Sequence, residues 1–343
     1  MPNDTKKMIL KPEDSTSASA LKTQAMAVEK MLKPESTPAN LVGFGLGVKW
    51  SKGEPTGKSA LLALVSQKVG KDELSEGDMI PAKINNMQTD VLAVGELFAG
   101  QAEPAEVGIE ALARRIRPAS GGYSVGHVNI TAGTIGTCVF DLEGTGSNPA
   151  GIPGRYYILS NNHVLANSNN AGLGDPVLQP GPFDGGTDPT DRIARLNRFI
   201  PITFEPPVPR FLHRNLVDAA VAEGQFHDLK REIHWVGHLQ GWVPRAQVNV
   251  GMRLHKTGRT TNYTTGRITA VNATIDVNYG AGRVARFRDQ IITTNMSAGG
   301  DSGSIVADRS SNRAVGLLFA GSSVATILNQ IQHVRSLLRV EIV

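Results

Sequence analysis

Beyond residue 120 the chain alternates short apolar runs with turns. GTIGTCVFD, YYILSN, NLVDAAVA, GMRLHKTG, TGRITAVNATIDVNY, QIITTN, SGSIVAD and AVGLLFAG are each of strand length, and Gly, Asn, Asp and Ser separate them. Many short strands of this kind predict a β-barrel or sandwich. Upstream, the spacing predicts a helix over 15–32. Its N-cap oxygens come from Ser15, Thr16 and Ser17, its apolar stripe is Leu21, Ala25, Val28 and Leu32, and Pro34 stops it. Strands are expected over 41–50, 59–67, 80–84 and 89–97, and a second helix over 324–338. Charge, Pro and Gly concentrate at 114–122 and mark a boundary. The expected organisation is a tail and helix over 1–38, a small α+β unit over 39–115 and a larger β domain over 116–343.

Composition narrows this picture. The 343 residues include 37 Gly and 19 Pro with only 5% aromatics, which suits turns and short elements better than long helices. A net charge of +4, with the basic residues scattered and no recognition motif, argues against a nucleic-acid partner. Cys138 is the sole cysteine, so no intrachain disulfide can form, and its apolar surroundings make it a core residue. The N-terminus lacks an apolar signal-like stretch, and nothing approaches the roughly 20 apolar residues of a membrane span. The expectation is a cytoplasmic protein with no membrane association.

Three motifs carry chemistry together. YILSNNHVLA ends an apolar strand in a polar turn bearing His163; NLVDAAV sets Asp218 in an apolar segment; SAGGDSGSIV sets Ser302 in a glycine-rich turn before a strand. A serine hydroxyl near neutral pH needs an imidazole to take its proton. The imidazole needs a carboxylate to hold its tautomer and stabilise the imidazolium. The developing oxyanion needs backbone N–H groups, which a glycine-rich turn can aim inward. Each motif alone has a plain structural explanation, but the order His, Asp, Ser with these flanks is specific. No cofactor is called for. His234 and His238 are four residues apart, but no third metal ligand accompanies them. KTGRTT, residues 256–261, reads as a tight turn more readily than as an anion site built on Lys256 and Arg259.

From about residue 120 the chain resembles the trypsin/chymotrypsin-type serine peptidases. Its SNNHVL is also similar to the histidine motif of HtrA-type proteases. LVGFGLGVKW, RPASGGYSVGH, LSNNHVLA, GDPVLQPG, NLVDAAVA, KTGRTT, AGGDSGSIV and GLLFAGS are most similar to the Narrow Leaf family of plants and its bacterial relatives. The resemblance implies a mainly β fold, a chymotrypsin-like double β-barrel of two six-stranded antiparallel barrels with the site between them, here preceded by a small α+β region. It implies an endopeptidase acting on proteins or peptides through His163, Asp218 and Ser302. Matched residue by residue, the N–H groups of Gly300 and Ser302 form the oxyanion hole. Phe319, Ala320 and Gly321 pair with the substrate backbone and wall the specificity pocket, and Met296 sits at its floor. No Asp or Glu lies between Asp289 and Asp301, so an acidic floor is not expected. In classical zymogens of the trypsin type a newly cleaved N-terminus pairs with the residue matching Asp301; this chain has no activation-like Ile-Val-Gly-Gly, so either that loop is preformed or something else orders it.

Two other functions fit the same features. One is a scaffold or regulatory binding protein that keeps the fold with little turnover, and the other is an acyl hydrolase of non-peptide esters. The helix at 15–32 and the strands of 39–100 are too small to stand alone, so they need another surface, supplied by the barrels or by a second subunit. A homo-oligomer assembled through this region is the expectation.

Overall fold

The computed structural model describes residues 4–33, 37, 38, 40–52, 54–100, 112–142 and 153–342. The architecture is mainly β, and its strand pairings close into two barrels. In the second, 253–258, 305–308, 314–321, 325–330, 284–294 and 262–278 follow one another, and pairing of 253–258 with 262–278 completes the ring. In the first, the order is 137–141, 156–160, 220–224, 192–199, 176–178 and 124–127. Gly133–Thr134, just upstream of Thr137–Asp141, pairs back to Ser124–His127, and Gly122 and Ile135 extend that closure. The double barrel is therefore present in the hydrogen-bonding pattern itself. Cys138 lies in the first-barrel core, where burial pushes its thiol up to about 12.

The stretch assigned to a small unit at 39–115 does not stand apart. Leu41–Ser51 pairs with Asn262–Asn278, Glu54–Val65 pairs with Leu41–Ser51, and Met87–Ala93 follows in parallel, all in the sheet of the second barrel. One core holds Leu10, Val28, Leu32, Phe44, Leu46, Leu254 and Val306, so no boundary near 115 divides the apolar packing. Leu112, upstream of the expected boundary, belongs to the first-barrel core.

The N-terminal helix runs Ala18–Met31 with Ser17 capping Ala20. Its buried face is Ala20, Gln24, Ala27 and Val28, rotated from the expected stripe, and Ala25 is exposed. Gln24 turns inward because its amide donates to the Phe44 carbonyl at 3.0 Å and pairs with Asn272, so a polar residue earns burial by hydrogen bonding. A 14-residue helix is marginal alone; this chain's own sheet supplies the surface it needs.

The expected helix at 324–338 is half strand. Ala325–Gln330 pairs between 314–321 and 284–294, and only Ile331–Leu338 is helical. β-Branched Thr326 and Ile327 suit the pleated sheet, and tertiary pairing overrides the helical spacing. The strand expected over 80–84 is reduced to Lys83–Ile84, whereas 41–50, 59–67 and 89–97 overlap the observed strands Leu41–Ser51, Glu54–Val65 and Met87–Ala93.

Candidate active site

Register brings His163 and Asp218 together. Tyr156–Ser160 and Ala220–Gly224 are neighbours with Ser160 opposite Ala220, so the residue two before one strand meets the short helix Asn162–Leu165 that follows the other. Asp218 is fully buried, and its Oδ2 lies 2.6 Å from His163 Nδ1. The His163 backbone N–H donates to Oδ1 at 3.1 Å, which sets the ring's position from its own main chain. The two asparagines of the motif are structural. Asn161 donates to the Asp218 carbonyl at 2.7 Å, and Asn162 donates to the Ile200 carbonyl and to Asn169, both at 2.8 Å.

Two partners of Asp218 escaped the sequence reading. The Tyr279 hydroxyl donates to Oδ2 at 2.7 Å, and Asn329 Oδ1 accepts from the Asp218 N–H at 3.0 Å. Burial first, and then the adjacent Asp218 carboxylate, push the Tyr279 hydroxyl well above its ordinary value, so it stays a donor. Its only sequence signal was a tyrosine ending a long strand, which nothing linked to Asp218.

Ser302 sits on the second barrel, between the Gly299–Gly300 turn and the strand Ile305–Asp308. The turn is pinned to the first barrel: the Thr134 N–H donates to the Ser302 carbonyl at 2.7 Å, and the Thr134 hydroxyl to the Gly300 carbonyl at 2.8 Å. Gly303 has φ +97, and a Cβ there would come 2.1 Å from Ser160 Oγ, so only glycine lets the loop press this close. Among the described residues the N–H groups of Gly300 and Ser302 donate to no protein acceptor. His163 and Ser302 line one cleft of about 570 Å³, and His163 Nε2, although buried, has no hydrogen-bond partner among the described residues.

The substrate-binding residues divide. Ala320 and Gly321 line this cleft. Met296 and Phe319 do not: Met296 is in the second-barrel core, and Phe319 packs on Phe287 with ring centroids 4.7 Å apart. Neighbours in an extended chain face opposite ways, so Asn295 and Ser297, flanking Met296, are the side chains in the cleft. Ser297 Oγ lies 2.7 Å from Thr326 Oγ1, and Asn295 donates to the Ser323 carbonyl at 3.2 Å. This end of the cleft is polar and uncharged.

KTGRTT ends the strand Arg253–Gly258 and makes the tight turn into Asn262–Asn278, and it also has an anionic partner within the chain. Lys256 Nζ lies 2.9 Å from Asp301 Oδ2, with both side chains fully buried. Thr261 donates its hydroxyl to the same oxygen at 2.6 Å, and the N–H groups of Thr260 and Thr261 reach Oδ1 at 2.9 and 3.1 Å. Burial pulls the Lys256 ammonium down from the ordinary lysine range, against the pull of Asp301. Arg259 makes a second buried pair with Asp184. The residue preceding Ser302 is thus anchored by an internal lysine, with no need of a free N-terminus.

No family model and no curated relative matches the chain. Solved structures do. Protease A of Thermobifida fusca matches at 15% identity and TM-score 0.44, covering 65% of this chain and 97% of its own. The Nocardiopsis protease matches at 17% and 0.44 with the same coverage, and the chymotrypsin of Cellulomonas bogoriensis at 18% and 0.43, also covering 65% and 97%. These neighbours are trypsin/chymotrypsin-like serine proteases.

Proposed function

We propose that the protein is a serine endopeptidase in which Ser302 attacks the substrate carbonyl, His163 takes and returns the proton, and Asp218 holds His163. The observation that carries this reading is the buried His163–Asp218 pair at 2.6 Å, with Nε2 free of any hydrogen-bond partner among the described residues and with His163 and Ser302 lining the same cleft. With Nδ1 engaged by the carboxylate, Nε2 is the nitrogen free to act as base. The N–H groups of Gly300 and Ser302 are the oxyanion donors in this reading, since both lie in the turn and neither serves another acceptor among the described residues. The acyl-enzyme forms by attack of Ser302 Oγ with loss of the amine, which leaves with the proton carried by His163. Water then repeats the sequence. Among family resemblances, the quoted segments favour the Narrow Leaf proteins and their bacterial relatives.

A fluorophosphonate probe tests the reading. Labelling of the wild type at Ser302, absent in Ser302→Ala and strongly slowed in His163→Ala, together with peptide hydrolysis lost in both, is the expected result. Residual peptide hydrolysis should be lower by a factor of about 10³ or more in either variant and little lower in the double variant. Near-normal hydrolysis by Ser302→Ala removes the proposal; labelling without peptide turnover on a broad library assigns the chain to the ester-hydrolase alternative, and absence of labelling to the scaffold alternative.

A further inference from the structure

A peptide lying in a cleft is commonly held by adding a strand to a free sheet edge. The edge beside Ser302 is that of Ala314–Gly321. Its pairing with Ile305–Asp308 reaches Leu317, and Leu318 exchanges hydrogen bonds with Gly303 and Ser304 at 2.8 and 3.0 Å. Beyond Leu318 no strand among the described residues covers that side. The chain itself does so three residues later. Phe98 donates to the Gly321 carbonyl and accepts from the Gly321 N–H, both at 3.1 Å, as an antiparallel bridge. The segment is held from its other side too: Ala99 donates to the Asn278 carbonyl at 3.0 Å, and Asn278 to that of Leu97 at 2.9 Å. Leu97 and Ala99 are buried.

The segment also reaches the imidazole. Phe98 and Gly100 line the cleft with Ser302. Gly100 has φ +68, and a Cβ there would come 2.9 Å from His163 Cδ2, so bare backbone is laid against the ring.

We propose, building on the peptidase reading, that Phe98 is a specificity-determining residue that closes the acyl-side groove at Gly321. At about 3.3 Å per residue, the three residues from Leu318 to Gly321 span roughly 10 Å. A substrate running antiparallel along this edge from Ser302 therefore meets Phe98 at its third residue before the scissile bond. Recognition on that side is confined to two residues, and the substrates are defined by those two and by the residues on the leaving side of the bond.

The test is a series of fluorogenic peptide amides with one, two, three or four residues before the cleaved bond, identical at the first two, on the full chain. Extension from two to three or four residues should change kcat/KM by less than threefold; a larger gain overturns the proposal. In Phe98→Pro, which cannot donate to Gly321, the third residue should become worth tenfold or more, and a flat series in a folded Phe98→Pro protein overturns the role of Phe98. If that variant does not fold, hydrogen exchange across 94–100 of the wild type decides. Protection unchanged after reaction with a tripeptidyl phosphonate supports the closed groove, and its loss overturns it. Failure of the underlying peptidase reading is distinguishable, because then no peptide of the series is cleaved at any length, in the wild type or in Phe98→Pro.

Discussion

Tyr279 and His163 share one oxygen of a fully buried carboxylate: Asp218 Oδ2 accepts the tyrosine hydroxyl at 2.7 Å and faces the imidazole at 2.6 Å. Each bond to that oxygen draws on the same negative charge. Tyr279→Phe removes one of the bonds that fix this carboxylate and, through it, the orientation of the imidazole, so kcat should fall about tenfold with KM nearly unchanged in a protein that melts normally. An unchanged kcat, or activity lost only through unfolding, would make Tyr279 merely a packing residue.

Lys256 and Asp301 form a buried pair next to the nucleophile. Lys256→Met leaves the buried Asp301 carboxylate with its Thr260 and Thr261 hydrogen bonds but no countercharge, which costs about 3–5 kcal/mol of stability, and it loosens the Gly300–Ser302 turn. Urea unfolding should report that loss, and fluorophosphonate labelling should slow at least a hundredfold. Adding Asp301→Asn should restore much of the stability but not the labelling, because the turn still lacks its anchor.

No acidic side chain lines the cleft among the described residues, and Asn295 and Ser297 present a polar, uncharged end. A buried cation there would lack a partner. In a library varied at the residue before the scissile bond, small or uncharged polar side chains should exceed Arg and Lys by tenfold or more in kcat/KM; dominance by Arg or Lys would contradict this assignment of the cleft.

Asp308 ends the strand beyond Ser302. Burial raises its carboxyl, but hydrogen bonds from the hydroxyls of Ser310 and Ser311 and their turn outweigh that and leave it below the ordinary carboxylate range. A depressed folded value means the folded state releases this proton more readily than the unfolded chain does. Its stabilisation is therefore present above the ordinary carboxylate range and lost as pH falls through the folded value. Asp308→Asn should lower the melting temperature at neutral pH and flatten its decline on acidification, measured by calorimetry from neutral pH down to about pH 3.

How much of this was legible depended on whether a residue's role is local. His163, Asp218 and Ser302 are flanked by the strands that carry them, so each motif could be found locally, and the order of the three made them specific. The Tyr279–Asp218 bond joins residues from different barrels, and the Lys256–Asp301 pair joins a hairpin to a distant turn; no local pattern encodes either. Met296 and Phe319 were placed by counting from Ser302 and by matching GLLFAGS, and counting cannot tell which face of an extended chain a side chain takes. Gln24 in the helix core and the Ala325–Gln330 strand went unread for a related reason. Their partners, Phe44, Asn272 and two neighbouring strands, outweigh intrinsic preference.

The pairing of Leu41–Ser51 with Asn262–Asn278 has a consequence for how the molecule is made. Gly43 lies opposite Ile275, so the earlier strand leaves the ribosome long before its partner does. Until then the edge of Leu41–Ser51 that Asn262–Asn278 will cover has no partner strand, although its other edge already has Glu54–Val65, and closing so long a loop makes this step of folding slow. The nascent chain therefore carries an unpaired β-edge, a site for wrong pairing, while everything between the two strands is synthesised.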